Sequence, residues 1–413
     1  MRDALEGDLR ELADAAGALA PRMPPRAISP EMYELGRALF WDGELSGGRE
    51  EACASCHTKV LVIGMPGPFS IGSGPVLTSR NHLGVGDWDL HGPRFFWDGR
   101  VEPLADGRLR NPIGSALPDG VDGPSHAAFL FGGLHPSEMI GKDNDLAAIP
   151  GHDFPAIWRA LMGRILAFDG YLPRFRAAFP DVDDEAFTYV HASRAMRDYA
   201  EVTVRFTGSP WDRFVRGEEG VLSDEALRGG LVFFGRGGCA RCHDGPAFSD
   251  NDLHNLAVPQ FGPGPTPPGT ETFDLGRALV TRDPDDSFRF LTPSLRHVGE
   301  TMPYMHNGVF VHLEDAVRHH LDPVASLESF GPAQVPASYH PFFPTGARDA
   351  ERLAARRAEV LATLDPLLAE PLDLSDAEVH DLLAFLRALT DPDFTWSLRW
   401  VPTSSPTGRT GAL

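Results

Sequence analysis

All four cysteines of this 413-residue chain occur in two copies of one pattern, Cys-x-x-Cys-His. The copies are Cys53-Ala54-Ser55-Cys56-His57 and Cys239-Ala240-Arg241-Cys242-His243. This spacing is the attachment signature of c-type haem: two thiols form thioethers to the haem, and the adjacent histidine binds its iron. The sequence therefore predicts two covalent haems as cofactors, one on each motif, with His57 and His243 as iron ligands.

Three other uses of a Cys-x-x-Cys pair remain open at this point. The pair could form half of a structural zinc site, a redox dithiol or a disulfide. A four-cysteine zinc site leaves both trailing histidines unexplained, and a redox dithiol needs only one copy. The histidine that directly follows both pairs favours haem over these alternatives.

Length and composition predict a globular protein of two domains. A chain of 413 residues exceeds what one hydrophobic core usually supports. We place the domains at 1–215 and 216–413, each with one haem motif. The 42% share of hydrophobic residues is ordinary for a globular protein, and no apolar run approaches the length of a membrane span.

Charge and leader sequence bear on partners and location. The formal net charge of −21 argues against nucleic acid, because a polyanion would be repelled, but it is compatible with a basic protein partner. Residues 1–20 show no basic segment followed by an apolar core, so no secretory signal is visible. Because this type of haem is attached outside the bacterial cytoplasm, we expect a periplasmic protein whose leader is absent from this sequence.

Periodicity predicts a mainly α fold with long irregular loops. Helical spacing predicts a helix from Glu31 to Phe40, helices within 154–179 and 186–206, and a helix capped by Ser223 that ends at Phe234. Ser375 and Glu378 form a predicted capping box for a last helix. Glycine and proline interrupt 64–136, and the tail after Trp400 is expected to be poorly ordered. A helix followed by glycines precedes each haem motif, which indicates a distant internal repeat.

Several motifs in order resemble the bacterial di-haem cytochrome c peroxidase family, including its MauG branch. The resemblance lies in Leu35 to Phe40, in Phe96 to Arg100, in Thr292 to Arg296 and in Pro303 to Gly308, and it covers roughly residues 31 to 390. It implies two cytochrome c-like domains with one covalent haem each, and hydrogen peroxide as the oxidant.

The chemistry depends on the second axial ligand of each iron, because only an iron with a vacant position binds peroxide. Resting peroxidases of the family carry a histidine in the loop after the first motif. Residues 58–80 contain no histidine, and Met65 is their only methionine. The resemblance therefore implies a vacant position at the first haem, with His82 as a rival ligand.

For the second haem, the family's second iron ligand lies fourteen residues after the histidine that matches His306. That position is His320 in this chain, whereas the peroxidases have methionine there and MauG has tyrosine. Helical spacing places His320 with Leu313, Ala316 and Val317 on an apolar face, and His319 on the polar face toward water. We therefore expect bis-histidine ligation, which favours a low reduction potential. Met302 and Met305 are alternative ligands.

The resemblance also implies catalytic roles for Trp97 and Glu138. Trp97 matches a tryptophan that bridges the two haems in the family, and it also fits an aromatic cluster with Phe95, Phe96 and Trp88. Glu138, in a Glu-Met pair, matches the glutamate that moves protons during peroxide cleavage. The family's distal glutamine is replaced by Gly107.

Asn81, Thr301 and Pro303 match positions at which the family binds calcium through one side-chain oxygen and two backbone carbonyls. Oxygen ligands of this kind suit Ca²⁺. His254 lies in another stretch that resembles the family, but no role follows for it from the sequence.

These inferences predict a di-haem peroxidase. Hydrogen peroxide reacts at the His57 haem, and the oxidising equivalents are shared through Trp97 with the His243 and His320 haem. A redox protein is then oxidised there: a cytochrome c, a copper protein or a modified target protein. Two alternatives remain: a MauG-like maturase that oxidises tryptophan in a dedicated partner, for example to kynurenine, and a di-haem cytochrome that only transfers electrons.

Overall fold

A computed structural model describes residues 2–20, 22–57, 68–74, 76–260, 262, 264, 273–342, 356–395 and 405–409. Met65 lies outside these residues. The described chain is mainly helical, as predicted, and its strands are short. The helices are α1 (Arg2–Ala15), α2 (Pro30–Phe40), α3 (Cys53–His57), α4 (Pro124–Phe131), α5 (Phe154–Leu166), α6 (Leu172–Ala178), α7 (Tyr189–Thr203), α8 (Pro210–Val215), α9 (Asp224–Phe234), α10 (Ala278–Thr281), α11 (Leu313–Leu321), α12 (Pro323–Ser329) and α13 (Asp376–Ala388).

Three short antiparallel strand pairs lie within the loops. They are β1 (Ile71–Gly72) with β2 (Val76–Leu77), β3 (Glu102–Pro103) with β4 (Leu109–Arg110), and β5 (Leu253–His254) with β6 (Phe290–Leu291). In the described residues between 68 and 136, α4 is the only α-helix, which agrees with the irregular chain predicted there. None of the helices in the described ranges is both long and apolar enough to cross a membrane.

Helix ends follow the capping signals of the sequence. Ser29 accepts a hydrogen bond from the Met32 amide at the start of α2, and Ser223 accepts one from Ala226 at the start of α9. Ser375 and Glu378 form the predicted capping box of α13. These caps satisfy amide groups that have no partner within the first turn of a helix.

The same helix crossing is built twice. Helix α2 crosses α7 where Gly36 lies against the Ala195 carbonyl, and α9 crosses α13 where Gly229 lies against the Asp381 carbonyl. A Cβ at either glycine would overlap the facing backbone, so glycine permits both close approaches. The two crossings confirm the predicted repeat at the level of packing.

Each crossing lies within its own large hydrophobic cluster. The first cluster contains Leu35, Leu39, Ala195 and Met196, and the second contains Leu227, Phe233, Leu382 and Phe385. Helix α1 packs in the second cluster through Leu9 and Ala13, although it begins the chain. The boundary between 1–215 and 216–413 stays a prediction.

The C-terminal tail differs from its expectation in one described segment. Thr407 donates a hydrogen bond to Asp42, the Gly43 amide donates one to the Arg409 carbonyl, and Arg409 pairs with Glu44. Asp42 and Glu44 are buried, and the tail adds to the partners that the first half already provides, which are Tyr171 for Asp42 and Arg49 for Glu44. Residues 405–409 therefore pack on the first half of the chain.

Candidate haem cavity

One cavity of about 1420 Å³ contains both cysteine motifs. Its walls include all four cysteines together with His57 and His243. Pockets for single small ligands typically measure about 300–1,000 Å³, so this cavity is larger than one such ligand requires. The sequence repeat thus places both motifs around one shared space.

The thiols are available for covalent attachment. All four cysteines are free, which is not what the disulfide interpretation expects. Burial raises the pKa of Cys53, Cys56 and Cys239 to about 12. Within the described part of the chain, the one cluster of possible metal ligands is Cys242 with Asp250 and His254, so a four-cysteine zinc site is not formed.

The second motif faces His320 across the cavity. The His243 Nδ1–H donates to the Phe248 carbonyl at 3.0 Å, and the His320 Nδ1–H donates to the Ala316 carbonyl at 2.8 Å. Each ring therefore keeps its Nε2 for the space between them, where the ring centres are 6.3 Å apart. With a metal–nitrogen distance of about 2 Å, two imidazoles on opposite sides of one metal ion have centres about 6.4 Å apart.

The first motif faces His82 in the same way. The ring centres of His57 and His82 are 6.0 Å apart, and the Ser70 hydroxyl lies 3.2 Å from the His82 Nδ1. Burial lowers the pKa of His57 to about 3 and that of His82 to about 4, so both imidazoles are neutral, as metal ligation requires. The vacant position expected at the first haem stays a prediction, and His82 lies where it would compete with that vacancy.

One expectation for α11 is wrong. His319 was expected to face water, but it is 1% exposed and bonds to the Leu256 carbonyl and the Ser326 hydroxyl, both at 2.8 Å. Helix α11 lies between two clusters, since Val317 packs in one and Ala316 in another. The helix therefore buries two faces, and a single apolar stripe was too simple a pattern for it. Of the alternative ligands, Met302 is 37% exposed.

Trp97 lies on the cavity wall where the two halves meet. Its Nε1–H donates to the Asn81 carbonyl at 2.7 Å, and its own carbonyl accepts from the Leu291 amide at 2.8 Å. Its ring centre is 6.4 Å from that of His306, whose buried Nε2 has no hydrogen-bond partner in the described residues. Contacts to both halves fix the indole at the junction.

Glu138 also lines the cavity, on the side of the first motif. It lies in a one-turn π-helix, Pro136–Ile140, within which its own backbone angles are non-helical. The Ser73 amide donates to the Glu138 carbonyl at 2.8 Å, which ties this turn to β1. The negative charge of Glu138 contributes to the raised pKa of Cys56, so the carboxyl lies near the attachment site.

Gly107, which stands where the family has glutamine, is not a cavity residue. It lies in the turn that joins β3 and β4, and its φ of +82° is one that glycine adopts without strain. Another polar side chain would have to supply distal hydrogen bonds to peroxide. His135 and Arg100 both line the cavity near Glu138.

Asn81 and Pro303, two of the residues expected to bind calcium, are in contact. The Asn81 amide donates to the Pro303 carbonyl at 2.6 Å, and Thr301 lines the same cavity. The amide would have to turn over to present its oxygen to a cation. The residues thus come together, while calcium itself stays a prediction.

Sequence reasoning gave no role to His254 and missed the network around it. Its two ring nitrogens contact Asp250 and Asp365, at 2.9 and 2.6 Å. Hydrogen bonds to Asp250, to Cys242 and to Asp365, in that order of effect, raise the pKa of His254 to about 11. Asp365 is far away in the sequence, and no motif indicates the pairing.

Buried ion pairs join the two halves around the cavity. Arg80 binds Asp98 in the first half and Asp274 in the second, each at 2.6 Å. Asp87, which is fully buried, pairs with Arg296 and His297 of the second half. These charges are desolvated but paired, so they fix how the halves meet.

The mainly helical fold and a cavity with two Cys-x-x-Cys-His motifs are those of a di-haem c-type cytochrome. A sequence model of the family described as di-haem cytochrome c peroxidase matches residues 30–220. The chain is 27% identical over 406 residues to cytochrome-c peroxidase IdrP1 of Pseudomonas sp. strain SCT, covering 92% of this chain and 87% of that protein. It is 28% identical over 355 residues to the methylamine utilization protein MauG of Methylorubrum extorquens, covering 85% and 82%.

Among solved structures, the diheme peroxidase BthA from Burkholderia thailandensis E264 has a TM-score of 0.60 at 26% identity, covering 93% of this chain and 91% of that one. The chain is thus similar to the di-haem cytochrome c peroxidase and MauG family, in agreement with the resemblance of its motifs. Its relatives include named peroxidases, which places it among haem-dependent oxidoreductases.

Proposed function

We propose that this protein is a periplasmic di-haem peroxidase that reduces hydrogen peroxide at the haem held by Cys53, Cys56 and His57. The observation that carries the proposal is the single cavity in which each haem motif faces a second histidine. Two haems bound in this one cavity would be able to exchange electrons. Periplasmic location follows from where this type of haem is attached.

The bound haem would supply the iron at which the O–O bond of peroxide is cleaved. Glu138 lines the cavity beside the first motif, and its carboxylate takes a proton from one peroxide oxygen and returns it to the departing one. The buried and neutral His57 would be a ligand of that iron. The chain thus provides both the anchor and the proton carrier.

Peroxide would need a vacant coordination position at the first haem, and His82 is the residue that would compete with it for that position. The His82 ring lies 6.0 Å from His57, so the position is open only when this ring has moved aside. A hydrogen bond to Ser70 is the one polar contact of its ring in the described residues.

His243 and His320 would hold the second haem, which would supply electron transfer. Trp97 connects the two sites, because its indole lies on the wall of the shared cavity and donates to the Asn81 carbonyl of the first half, while its own backbone carbonyl accepts from the Leu291 amide of the second half. Oxidising equivalents would pass through this oxidisable ring to the second haem, where a redox protein is oxidised. A calcium ion held by Asn81, Thr301 and Pro303 would stiffen the junction beside Trp97.

The test measures peroxide consumption by the haem-loaded protein with reduced cytochrome c as electron donor. We expect two cytochrome c molecules to be oxidised per peroxide. The Glu138→Gln variant should react slowly, and Glu314→Gln, an exposed carboxylate on α11, should behave as wild type. Absence of peroxide consumption in any redox state would overturn the proposal.

A MauG-like maturase is the second candidate, and the similarity to MauG favours it. The same assay separates the two functions. Peroxide consumption with negligible oxidation of cytochrome c indicates a dedicated protein substrate, whose tryptophan oxidation mass spectrometry would detect. Failure of either haem to bind carbon monoxide or cyanide would indicate a cytochrome that only transfers electrons.

A further inference from the structure

A line of aromatic rings runs from the wall of the first haem site toward the surface. Phe40 and Met196 line the cavity. The Tyr199 ring lies behind them, 5.5 Å from that of Phe40, and its hydroxyl accepts a hydrogen bond from the Trp41 Nε1–H at 3.1 Å. The ring of Tyr33, a half-buried residue, is 5.2 Å from that of Tyr199. Rings at these separations are in van der Waals contact.

The repeated helix crossing provides an internal comparison for this line. When Gly36 is matched with Gly229, and Ala195 with Asp381, the cavity-lining residues Phe40 and Met196 of the first half correspond to Phe233 and Leu382, which also line the cavity. The next residues outward then correspond as follows: Tyr199 with Phe385, Trp41 with Phe234, and Tyr33 with Ala226.

Packing alone does not explain the difference between the two crossings. In the second half, Phe234 and Phe385 fill the same place with ring centres 5.8 Å apart and no polar atoms. In the first half, Trp41 and Tyr199 are 5% and 2% exposed, so each buries a polar group that must be hydrogen-bonded. Tryptophan and tyrosine are oxidisable and phenylalanine is not. At these matched positions the oxidisable rings therefore lie in the half whose haem meets peroxide, while Trp211 of the second half packs against Phe234 and Phe385 from outside the matched set.

We propose that Tyr199, Trp41 and Tyr33 form a chain that carries oxidising equivalents from the first haem to the protein surface. The inference rests on the proposed reaction of that haem with peroxide. It gives the protein a second oxidation site, at Tyr33, that is independent of Trp97 and of the second haem.

The electron balance of this route is simple. Tyr33 gives one electron inward along the chain and its hydroxyl proton to water, which leaves a neutral phenoxyl radical at the surface. A small one-electron reductant then returns an electron and a proton to Tyr33. Two such events supply the two electrons and two protons that convert one hydrogen peroxide to two waters. Burial raises the pKa of Tyr199 to about 12, so this inner phenol is protonated at rest.

The test uses the haem-loaded protein mixed with peroxide in the absence of a protein donor. A nitroso spin trap followed by peptide mass spectrometry locates the radicals, and rapid-freeze electron paramagnetic resonance identifies them as tyrosyl. We expect a trap adduct at Tyr33 that disappears when ascorbate is added. The double variant Trp41→Phe, Tyr199→Phe, which installs the rings of the second crossing, should lose the adduct.

Two controls make the result specific. Tyr339→Phe alters a buried tyrosine of the second half and should leave the adduct at Tyr33 unchanged. The haem absorption and far-ultraviolet circular dichroism of the double variant should match the wild type, since a persisting fold excludes a merely structural loss. Peroxide consumption without an adduct at Tyr33, or an adduct that persists in the double variant, would overturn the chain alone. Absence of peroxide consumption would overturn the proposed function together with the chain.

Discussion

Replacing His82 with alanine tests the coordination of the first haem directly. The two histidine pairs have nearly the same ring separation, 6.0 Å for His57 and His82 and 6.3 Å for His243 and His320. Equal geometry predicts equal ligation, so both resting irons should be six-coordinate and low-spin. The His82→Ala variant removes one of four axial imidazoles and leaves one haem with a vacant position.

The magnitude follows from the haem count. One haem of the two loses its sixth ligand, so half of the total iron should change from low-spin to high-spin. Spin quantitation by electron paramagnetic resonance of the ferric protein measures this fraction. If His82 occupies the position about 99% of the time in the wild type, the apparent affinity for cyanide should rise about 100-fold in the variant.

His320→Ala is the matched control, because it opens the second haem by the same change. It should also convert half of the iron, and the double variant should convert all of it. A wild-type protein with half of its iron already high-spin would show that His82 is not a ligand at rest and that the vacancy expected from the sequence exists. In that case His82→Ala should leave the spin state unchanged.

Three further predictions concern proton transfer and stability. Glu138→Gln should lower the rate of peroxide reduction by about 10²–10⁴-fold with carbon monoxide binding unchanged, which stopped-flow absorption would check. Asp87→Asn removes one of the two carboxylates that bind the buried Arg296 guanidinium and leaves Asp212, so thermal unfolding should show a loss below the roughly 3–5 kcal/mol of a wholly unpaired buried charge, and an unchanged midpoint would contradict this. Burial acts to raise the pKa of Asp122. The hydrogen bonds and the charge of Arg197 outweigh burial and lower this pKa from 3.8 to about 2. The stabilisation of the folded state that results is present above pH 3.8 and is lost as the pH falls toward 2. The free energy of unfolding of Asp122→Asn should therefore depend less on pH over this range.

The sequence predicted the features whose signal is local. The two Cys-x-x-Cys-His motifs, the caps at Ser223 and Ser375, and the repeat of a helix before each motif could all be identified within short windows. Features formed by residues far apart in the chain were not accessible in this way. His82 facing His57 depends on the path of residues between them, and the bond from His254 to Asp365 joins separate segments.

The prediction for His319 and His320 shows a second kind of limit. Helical spacing correctly separated the two rings onto different faces, but it assumed that one face is apolar and the other wet. His319 is buried because its two ring nitrogens both find partners, which removes the cost of desolvating them. Tertiary packing determines which buried polar residues find hydrogen-bond partners. The hydrophobic pattern of a single helix does not contain this information.

The buried charges at the junction explain how one cavity keeps two haem sites in register. Arg80 is bound by one carboxylate from each half, Asp98 and Asp274, and all three side chains are less than a tenth exposed. Apolar surfaces alone would allow the halves to slide, because the hydrophobic effect is not directional. A buried guanidinium tolerates no such displacement, since each lost hydrogen bond would leave a desolvated charge unpaired. The way the two halves meet around the cavity, with Trp97 on its wall, is therefore fixed by electrostatics as much as by packing.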